Sequence, residues 1–302
     1  MKTILKVLVA GANGQIARAL IDRAPLGRAE LVALGRPHLD LTDQASIAAA
    51  MEATAPDLVI NAAAYTAVDA AETDEAAAFA LNAVGAGHLA AAAAQAGAAI
   101  FHLSTDYVFA GDKAEPYSET DPTGPTGAYG RSKLEGERRV AESNPRFAIF
   151  RTAWVYSPQG ANFVKTMLRL AATREEIGVV HDQIGNPTSA HDIADALWQI
   201  GLHAFAAPDL LTPGIYHMTG SGQASWAEFA EEIFRRSAAA GGPSARVNRI
   251  PSAAYPTPAR RPANSRLDCA KLAERFGQAL PPWQASTKIC VEELVRVREA
   301  AS

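Results

Sequence analysis

Tyr129 stands four residues before Lys133 in the stretch AYGRSKLEG, residues 128–136. Residues four apart share one face of a helix, so a helical stretch here would hold the phenol and the ammonium side by side. A phenol titrates near 10 in water and is a poor acid–base group at neutral pH. A neighbouring ammonium favours the phenolate and lowers that value; the same ammonium can hold a ribose. A proton donor beside a ribose-bound hydride donor is what reduction of a carbonyl needs. The spacing alone is a weak signal. With 7 tyrosines in 302 residues and a similar number of lysines, chance supplies on the order of 0.2 such pairs.

Two further stretches give the pair a context. HLSTDYVF puts Ser104 and Thr105 at the end of an apolar run that reads as a strand. A hydroxyl there can hydrogen-bond a substrate carbonyl and complete a Thr105–Tyr129–Lys133 constellation; the plain alternative is a satisfied strand-end hydroxyl. GANGQIA follows a first strand and opens a helix. Gly11 allows the tight turn and Gly14 lets the backbone approach a pyrophosphate, which sits on the helix N-terminus. Gly11, Asn13, Gly14, Gln15 and Ile16 are the expected cradle, with Ala17 where a third glycine often stands. The plain alternative is an ordinary βα turn. The second strand ends in Leu34-Gly35-Arg36 rather than in the acidic residue of NAD sites. Arg36 suits a ribose 2′-phosphate, so NADPH is expected. Asp40 and Leu41 close by keep NADH open, and Arg36 as a solvated loop residue is the bland reading.

These groups need elements to position them. KVLVA, LVALG, DLVINAAA, AAIFHLST and RFAIFRTAWVY read as strands. ARALIDRA, 43–53 (with Asp43 near its start), 74–96 (stopped by Gly97) and 128–143 read as helices, and 110–127 as a long surface loop. Strands alternating with helices mean an α/β protein with a doubly wound parallel sheet. The second half is less regular. It offers helices at 162–174, from about 191, at 225–238 and at 291–300, and a short strand in GIYHMTG. HDQIGNPTSA and PSAAYPTPARRPANSRL read as loops. The expected division is a dinucleotide domain at 1–152, with about 177–216 returning to it. About 153–176 and 217–302 would form a smaller, mostly C-terminal substrate domain.

Composition narrows the partners. The chain is 48% hydrophobic and 20% charged with a net charge of −4. It shows no basic stripe, so nucleic acid is not expected. No uninterrupted run has the roughly 18–20 strongly apolar residues of a membrane span. Lys6 breaks the N-terminal apolar run before a glycine loop, which argues against a signal peptide. Two cysteines, Cys269 and Cys290, form no disulfide framework, and a reducing, cytoplasmic setting is expected. His181 and His191 lie outside any metal-ligand spacing, and Glu231 and Glu232 read as an exposed helix face.

NAAAYTAVDAAE, STDYVFAG, YGRSK, FRTAWVY, NFVKTMLRLA, DQIGNPT and YPTPARRPANSRL together resemble the dTDP-4-dehydrorhamnose reductase family, within the extended short-chain dehydrogenase/reductases. The resemblance runs from about residue 7 to 268. It implies a Rossmann-type sheet, NADPH (or NADH) as cofactor, and a nucleotide-sugar substrate. The implied reaction reduces the 4-keto group of dTDP-4-dehydro-β-L-rhamnose. By resemblance, Tyr129 protonates the nascent alkoxide, Lys133 lowers its pKa and grips the ribose, and Thr105 orients the carbonyl. Val68, Asp106, Tyr107 and Trp154 would wall the sugar pocket. Ala62, Ala63 and Ala64 would border the adenosine and ribose side of the cofactor. Guanidinium forks fit phosphate oxygens, so Arg260 and Arg261 are expected on the substrate diphosphate; a solvated basic loop is the alternative. Some members of the family are dimers bridged by a divalent metal through glutamates, one in the first helix. Ala19 stands near that place, so no metal site is expected, magnesium dependence stays open, and a monomer or a homodimer fits. Two other functions share these motifs. An epimerase or dehydratase would keep its cofactor through the cycle, but a dehydratase calls for an Asp-Glu pair after Thr105, where Asp106-Tyr107 stands. A cofactor-binding regulatory subunit would have no need of Thr105, Tyr129 and Lys133.

Overall fold

The computed structural model describes residues 4–207 and 211–300. Its first half alternates as the patterning demands: β1 (Leu5–Ala10), α1 (Gln15–Asp22), β2 (Ala29–Leu34), α2 (Gln44–Thr54) and β3 (Leu58–Asn61). A one-turn α3 (Val68–Ala71) precedes a long helix made of α4 (Glu75–Phe79), a π turn (Ala80–Gly85) and α5 (Ala86–Gln95). Then come β4 (Ala99–Thr105), α6 (Ala128–Ser143) and β5 (Phe147–Thr152). The second half carries β6 (Val155–Tyr156), α7 (Phe163–Ala171), β7 (Glu176–Val180), β8 (Ile184–Gly185), β9 (Thr188–Ser189) and α8 (Ala190–Ala206). It ends with β10 (Gly214–His217), β11 (Ala224–Ser225), α9 (Trp226–Ala239), β12 (Arg246–Ile250), α10 (Ala270–Phe276) and α11 (Trp283–Ala300).

Six strands form the main sheet in the order β10-β5-β4-β3-β1-β2, every neighbouring pair parallel. The apolar strands face two cores. Leu5, Val7 and Val9 of β1 pack in the cluster that includes α1 and α8, while Leu8 and Ala10 pack in the cluster that includes α2 and α5. That two-sided burial is why β1 reads as a run rather than as an alternation. Each fully buried Val or Leu contributes about 1.5–3 kcal/mol, so a charge at Val9 would break the strand. The order reverses between β2-β1 and β3-β4, which opens a crevice beyond the carboxyl ends of β1 and β3. The helix Glu75–Gln95 is long and apolar enough to span a membrane, at a mean hydropathy of 1.4. Here it lies against the sheet, with Ala83, Ala86, Leu89, Ala90 and Ala93 buried.

A second core gathers α7, α9 and α11 with β7, through Val164, Ile177, Val179, Phe229, Ile233, Val291 and Val295. This revises the expected division in one place. Residues 177–216 do not all return to the main sheet. α8 and β10 do, but β7 pairs with β12 in a separate two-stranded sheet. Its burial alternates, with Ile177 and Val179 buried and Glu176 and Gly178 exposed, so it is built for a one-sided sheet. Other differences are local. The final helix starts at Trp283, not at 291, directly after Pro281-Pro282, a helix-start signal. β12 and α10 were not anticipated. The 110–127 loop is not all surface: Tyr117 is 4% exposed, and its hydroxyl accepts from the N–H groups of Gly111, Asp112 and Lys113.

Candidate active site

A cavity of about 1030 Å³ opens along the carboxyl ends of the strands, walled by both halves of the chain. Its floor begins at the glycine loop. Gly11 has φ +98°, and a Cβ there would lie 2.8 Å from the backbone of Ala63. Only glycine lets the loops after β1 and β3 touch at this point. The N-terminus of α1 follows at Gly14 with no side-chain cap, and Asn13, Gln15 and Ile16 line the same wall. Its first-turn N–H groups need partners. Gln15 does more than line the cavity. Its Oε1 accepts from Asn162 Nδ2 at 2.8 Å and from Ser157 Oγ at 3.1 Å, which ties the loop to the smaller lobe.

Arg36, Asp40 and Leu41 border the far end, and Ala62, Ala63, Ala64 and Val68 the side beneath α3. Arg36 is exposed there, while Leu41 is buried. Asp40 accepts from the N–H and the hydroxyl of Thr42 at 2.9 and 2.8 Å. The Thr42 bonds hold its carboxyl below the usual range, with help from Arg36.

At the centre stand Thr105, which ends β4, and Tyr129 and Lys133 on α6. Glu72 Oε1 receives the N–H of Ala128 at 2.8 Å, which fixes where α6 begins. Asn82 in the π turn binds both backbone groups of Tyr65: Tyr65 N–H donates to Oδ1 at 2.7 Å, and Nδ2 donates to Tyr65 O at 3.1 Å and to Ser132 Oγ at 3.0 Å. Ser132 in turn donates to Tyr129 O at 2.8 Å. Backbone contact is tightest at Gly136, where a Cβ would meet Asn82 O at 2.1 Å. The helix is thereby clamped against the π turn.

Tyr129 is half-buried, its ring edge-on to Tyr107 at 5.6 Å between centroids. Burial pushes its phenol well above the ordinary value, the Asp106 charge adds to that, and the Thr105 hydroxyl opposes it. Lys133, expected to lower the phenol, directs its amine elsewhere. Its Nζ is turned to Leu103 O at 2.7 Å and to His102 Nε2 at 3.3 Å. Burial lowers Lys133 to about 8, against the pull of Glu137. Glu137 accepts from Ser104 Oγ at 2.5 Å and holds Arg151 in a bidentate pair at 2.9 and 2.6 Å. Asp106 is raised to about 6, chiefly by burial. Its Oδ1 accepts from Thr105 Oγ1 at 3.0 Å, the Ser265 hydroxyl also favours the carboxylate, and buried Oδ2 makes no hydrogen bond of ordinary geometry.

Trp154 closes the cavity from the smaller lobe. Its φ of +49° lies in the left-handed region, which costs on the order of 1–3 kcal/mol for a non-glycine residue. Stacking on Trp226, centroids 3.5 Å apart and 8° from parallel, helps hold it. Gly185 makes the room: a Cβ there would lie 2.5 Å from Trp154 Cε2. The two loops expected from DQIGNPT and RRPANSRL meet at this point. Ile184 N–H donates to Ala263 O, Ser265 N–H to Ile184 O, and Leu267 N–H to Asn186 Oδ1, at 2.9, 2.7 and 2.9 Å.

Of the predicted site residues, Arg260 and Arg261 lie outside the cavity wall. Arg260 points away from it. It is exposed, because the neighbouring Arg261 and the N–H of Ala259 are the groups drawn inward, to Asp69. Asn61, Asp69, Glu72, Asn82 and His102 escaped the sequence reading. Asp69, Glu72 and Asn61 lie inside or beside the quoted NAAAYTAVDAAE motif, which was a signal; His102 and Asn82 gave none beyond being polar in apolar runs. Among the described residues, no three His, Cys, Asp or Glu side chains form a metal-binding group. Ala19 is fully buried in the core.

Residues 5–296 match the family model described as RmlD substrate binding domain. The chain is 50% identical over 291 residues to a dTDP-4-dehydrorhamnose reductase of Sinorhizobium fredii, covering 96% of this chain and 98% of that protein. It is 48% identical over 302 residues to one of Burkholderia thailandensis, covering 96% and 99%. A solved dTDP-4-dehydrorhamnose reductase of Bacillus anthracis, in complex with NADP, superposes with a TM-score of 0.89 at 34% identity, over 97% of this chain and 100% of that one.

Proposed function

This chain belongs to the dTDP-4-dehydrorhamnose reductase family, and we propose that its cavity holds a nicotinamide dinucleotide along the glycine-loop wall with the keto sugar against Tyr129. The protein is an oxidoreductase that uses a nicotinamide cofactor to reduce the 4-keto group of dTDP-4-dehydro-β-L-rhamnose, giving dTDP-β-L-rhamnose. The observation that carries this reading is the convergence of Thr105, Tyr129 and Lys133 on a cavity whose other end is the glycine cradle.

The residues present fit a dinucleotide. The cradle at Gly11 and Gly14 is one that a Cβ would fill, and the uncapped start of α1 offers N–H groups to an anion. Gly11, Asn13, Gly14, Gln15 and Ile16 would hold its pyrophosphate. Arg36 would meet a 2′-phosphate, which favours NADPH, with Asp40 and Leu41 beside it. Ala62, Ala63 and Ala64 would pack on the adenosine and ribose side. When bound, the cofactor supplies the hydride.

The chain supplies the proton and the alignment. Thr105 would hydrogen-bond the keto oxygen and fix its distance from the phenol. As that oxygen becomes an alkoxide, Tyr129 gives it the phenolic proton. A phenol whose proton is held tightly by burial is fully loaded at neutral pH, and an alkoxide is a strong enough base to take it. Lys133 would grip the ribose and supply positive charge as Tyr129 loses its proton. The buried Oδ2 of Asp106 would accept a sugar hydroxyl, since a buried acceptor without a well-formed hydrogen bond is costly. Trp154, Val68 and Tyr107 would enclose the sugar and exclude water.

The test is cofactor oxidation. Purified protein with NADPH and dTDP-4-dehydro-β-L-rhamnose should oxidise one cofactor per sugar reduced. An epimerase would show no net oxidation, and a regulatory subunit would bind without turnover.

A further inference from the structure

The amine of Lys133 is served by two buried side chains that the proton-donor chemistry does not use. Asn61 ends β3, and His102 lies beside it in register on β4. They are 1% and 0% exposed, and Lys133 is 2% exposed. The backbone N–H of Ala63 meets the Asn61 amide at 3.2 Å. A backbone N–H can only donate, so it determines which end of that amide is the oxygen. The other end, Nδ2, stands 3.1 Å from His102 Nδ1, and an amide nitrogen can only donate. Nδ1 must therefore accept, and the one proton of the neutral ring sits on Nε2. Burial, and the Lys133 charge after it, keep that ring neutral. Nε2 stands 3.3 Å from Lys133 Nζ. An ammonium has no lone pair with which to accept this bond, whereas the free amine has one. The other partner of Nζ, Leu103 O at 2.7 Å, can receive a proton from either form.

We propose that Asn61 and His102 are positioning residues that hold Lys133 at the boundary between amine and ammonium: Asn61 fixes the Nε2–H tautomer of His102, and His102 aims that proton at Nζ. The inference rests on the reading of Lys133 as part of the reductase apparatus. Burial acts in the same direction, since it lowers Lys133 to about 8. Other groups nearby are Glu137 one turn along α6, which favours the ammonium, and Tyr129 one turn before. Glu137 is itself shared between Ser104 and Arg151. A lysine held this way gains or loses its proton close to neutral pH, which one with an ordinary pKa near 10.4 does not.

Two measurements test this. In 15N-labelled protein, proton–nitrogen correlation of the His102 ring should show Nε2 protonated, Nδ1 bare, and no titration between pH 6 and 9. A protonated Nδ1 would overturn the proposal. In steady-state kinetics, His102→Gln can turn an amide oxygen to the ammonium, and should move the alkaline limb of kcat/KM up by roughly one pH unit. His102→Leu removes the donor that favours the amine and should also move it up, but by less, because the added apolar surface opposes the ammonium. A histidine with only a structural role would lower kcat or stability and leave the limb in place, and that result also overturns the proposal. If His102→Leu does not fold, the glutamine variant and the spectrum still decide. Wild-type turnover tests the reductase reading separately: turnover with unshifted limbs in the variants sinks the positioning role alone. A wild type without turnover sinks the reductase reading and leaves the spectrum to judge the tautomer.

Discussion

Asp69 and Arg261 are 192 residues apart in the chain, yet Oδ2 and Nη2 stand 2.7 Å apart. Nη1 of the same guanidinium donates to the Tyr107 hydroxyl at 3.0 Å. The NAAAYTAVD motif thereby clasps the proline-rich loop over the Tyr107 end of the cavity, where the sugar is proposed to sit, and the clasp ends on the ring that packs against Tyr129. The guanidinium expected on the substrate diphosphate already has a carboxylate partner.

Breaking the clasp should affect substrate more than fold. The pair is 27% and 40% exposed, and such pairs are worth about 0–1 kcal/mol. Asp69→Asn should therefore leave the thermal midpoint within a few degrees. It should raise KM for the sugar nucleotide several-fold while KM for the cofactor stays put. Equal changes in both would mean that the clasp does not act on the sugar end.

Tyr129→Phe removes only the phenolic oxygen. Turnover should fall on the order of 10²–10⁴-fold, the usual range for a general acid, with cofactor affinity by fluorescence titration nearly intact. A variant with wild-type turnover would rule out Tyr129 as the donor.

Arg36 stands exposed at the glycine-loop end of the cavity, near Asp40. Loss of one charge-assisted contact to a phosphate is worth about 1.5–3 kcal/mol. Arg36→Ala should then cut kcat/KM with NADPH about tenfold or more and leave NADH nearly unchanged. Equal losses with both cofactors would show that the guanidinium meets no 2′-phosphate.

Lys133 gives a stability signature with a definite sign. Its pKa is depressed in the fold, from 10.5 to about 8. Below pH 8 both folded and unfolded chains carry the charge, and the folded one bears the burial penalty. Between about 8 and 10.5 the folded chain has released a proton that the unfolded chain still binds, so stability rises with pH across that window. Lys133→Met cannot titrate. Its advantage over the wild type in cofactor-free unfolding should shrink by on the order of 1–3 kcal/mol between pH 7 and pH 10.5. A gap that does not change with pH would mean an unshifted lysine.

The sequence by itself determined the parallel sheet and the place of its glycine loop. Apolar runs such as VLVA, and the 128–143 helix, are local patterns that burial on both faces or on one face dictates. It also placed Tyr129 and Lys133 on one helix, since four-residue spacing is a local property, and put Thr105 at a strand end. Only the tertiary structure decided what those side chains touch. Lys133 turns to Leu103 and His102 because β4 and α6 pack closely there, and the Tyr129 phenol is raised by burial first and by the Asp106 charge after it. Arg261 rather than Arg260 reaches inward because Asp69, from a helix nearly two hundred residues away, draws it in. The strands β7 and β12 are five residues each and sit in a sheet of two, so their short patterns are too weak to recognise alone and are settled by pairing. Spacing along a chain fixes which side chains share a face; what lies opposite that face depends on contacts between distant segments, which no local pattern encodes.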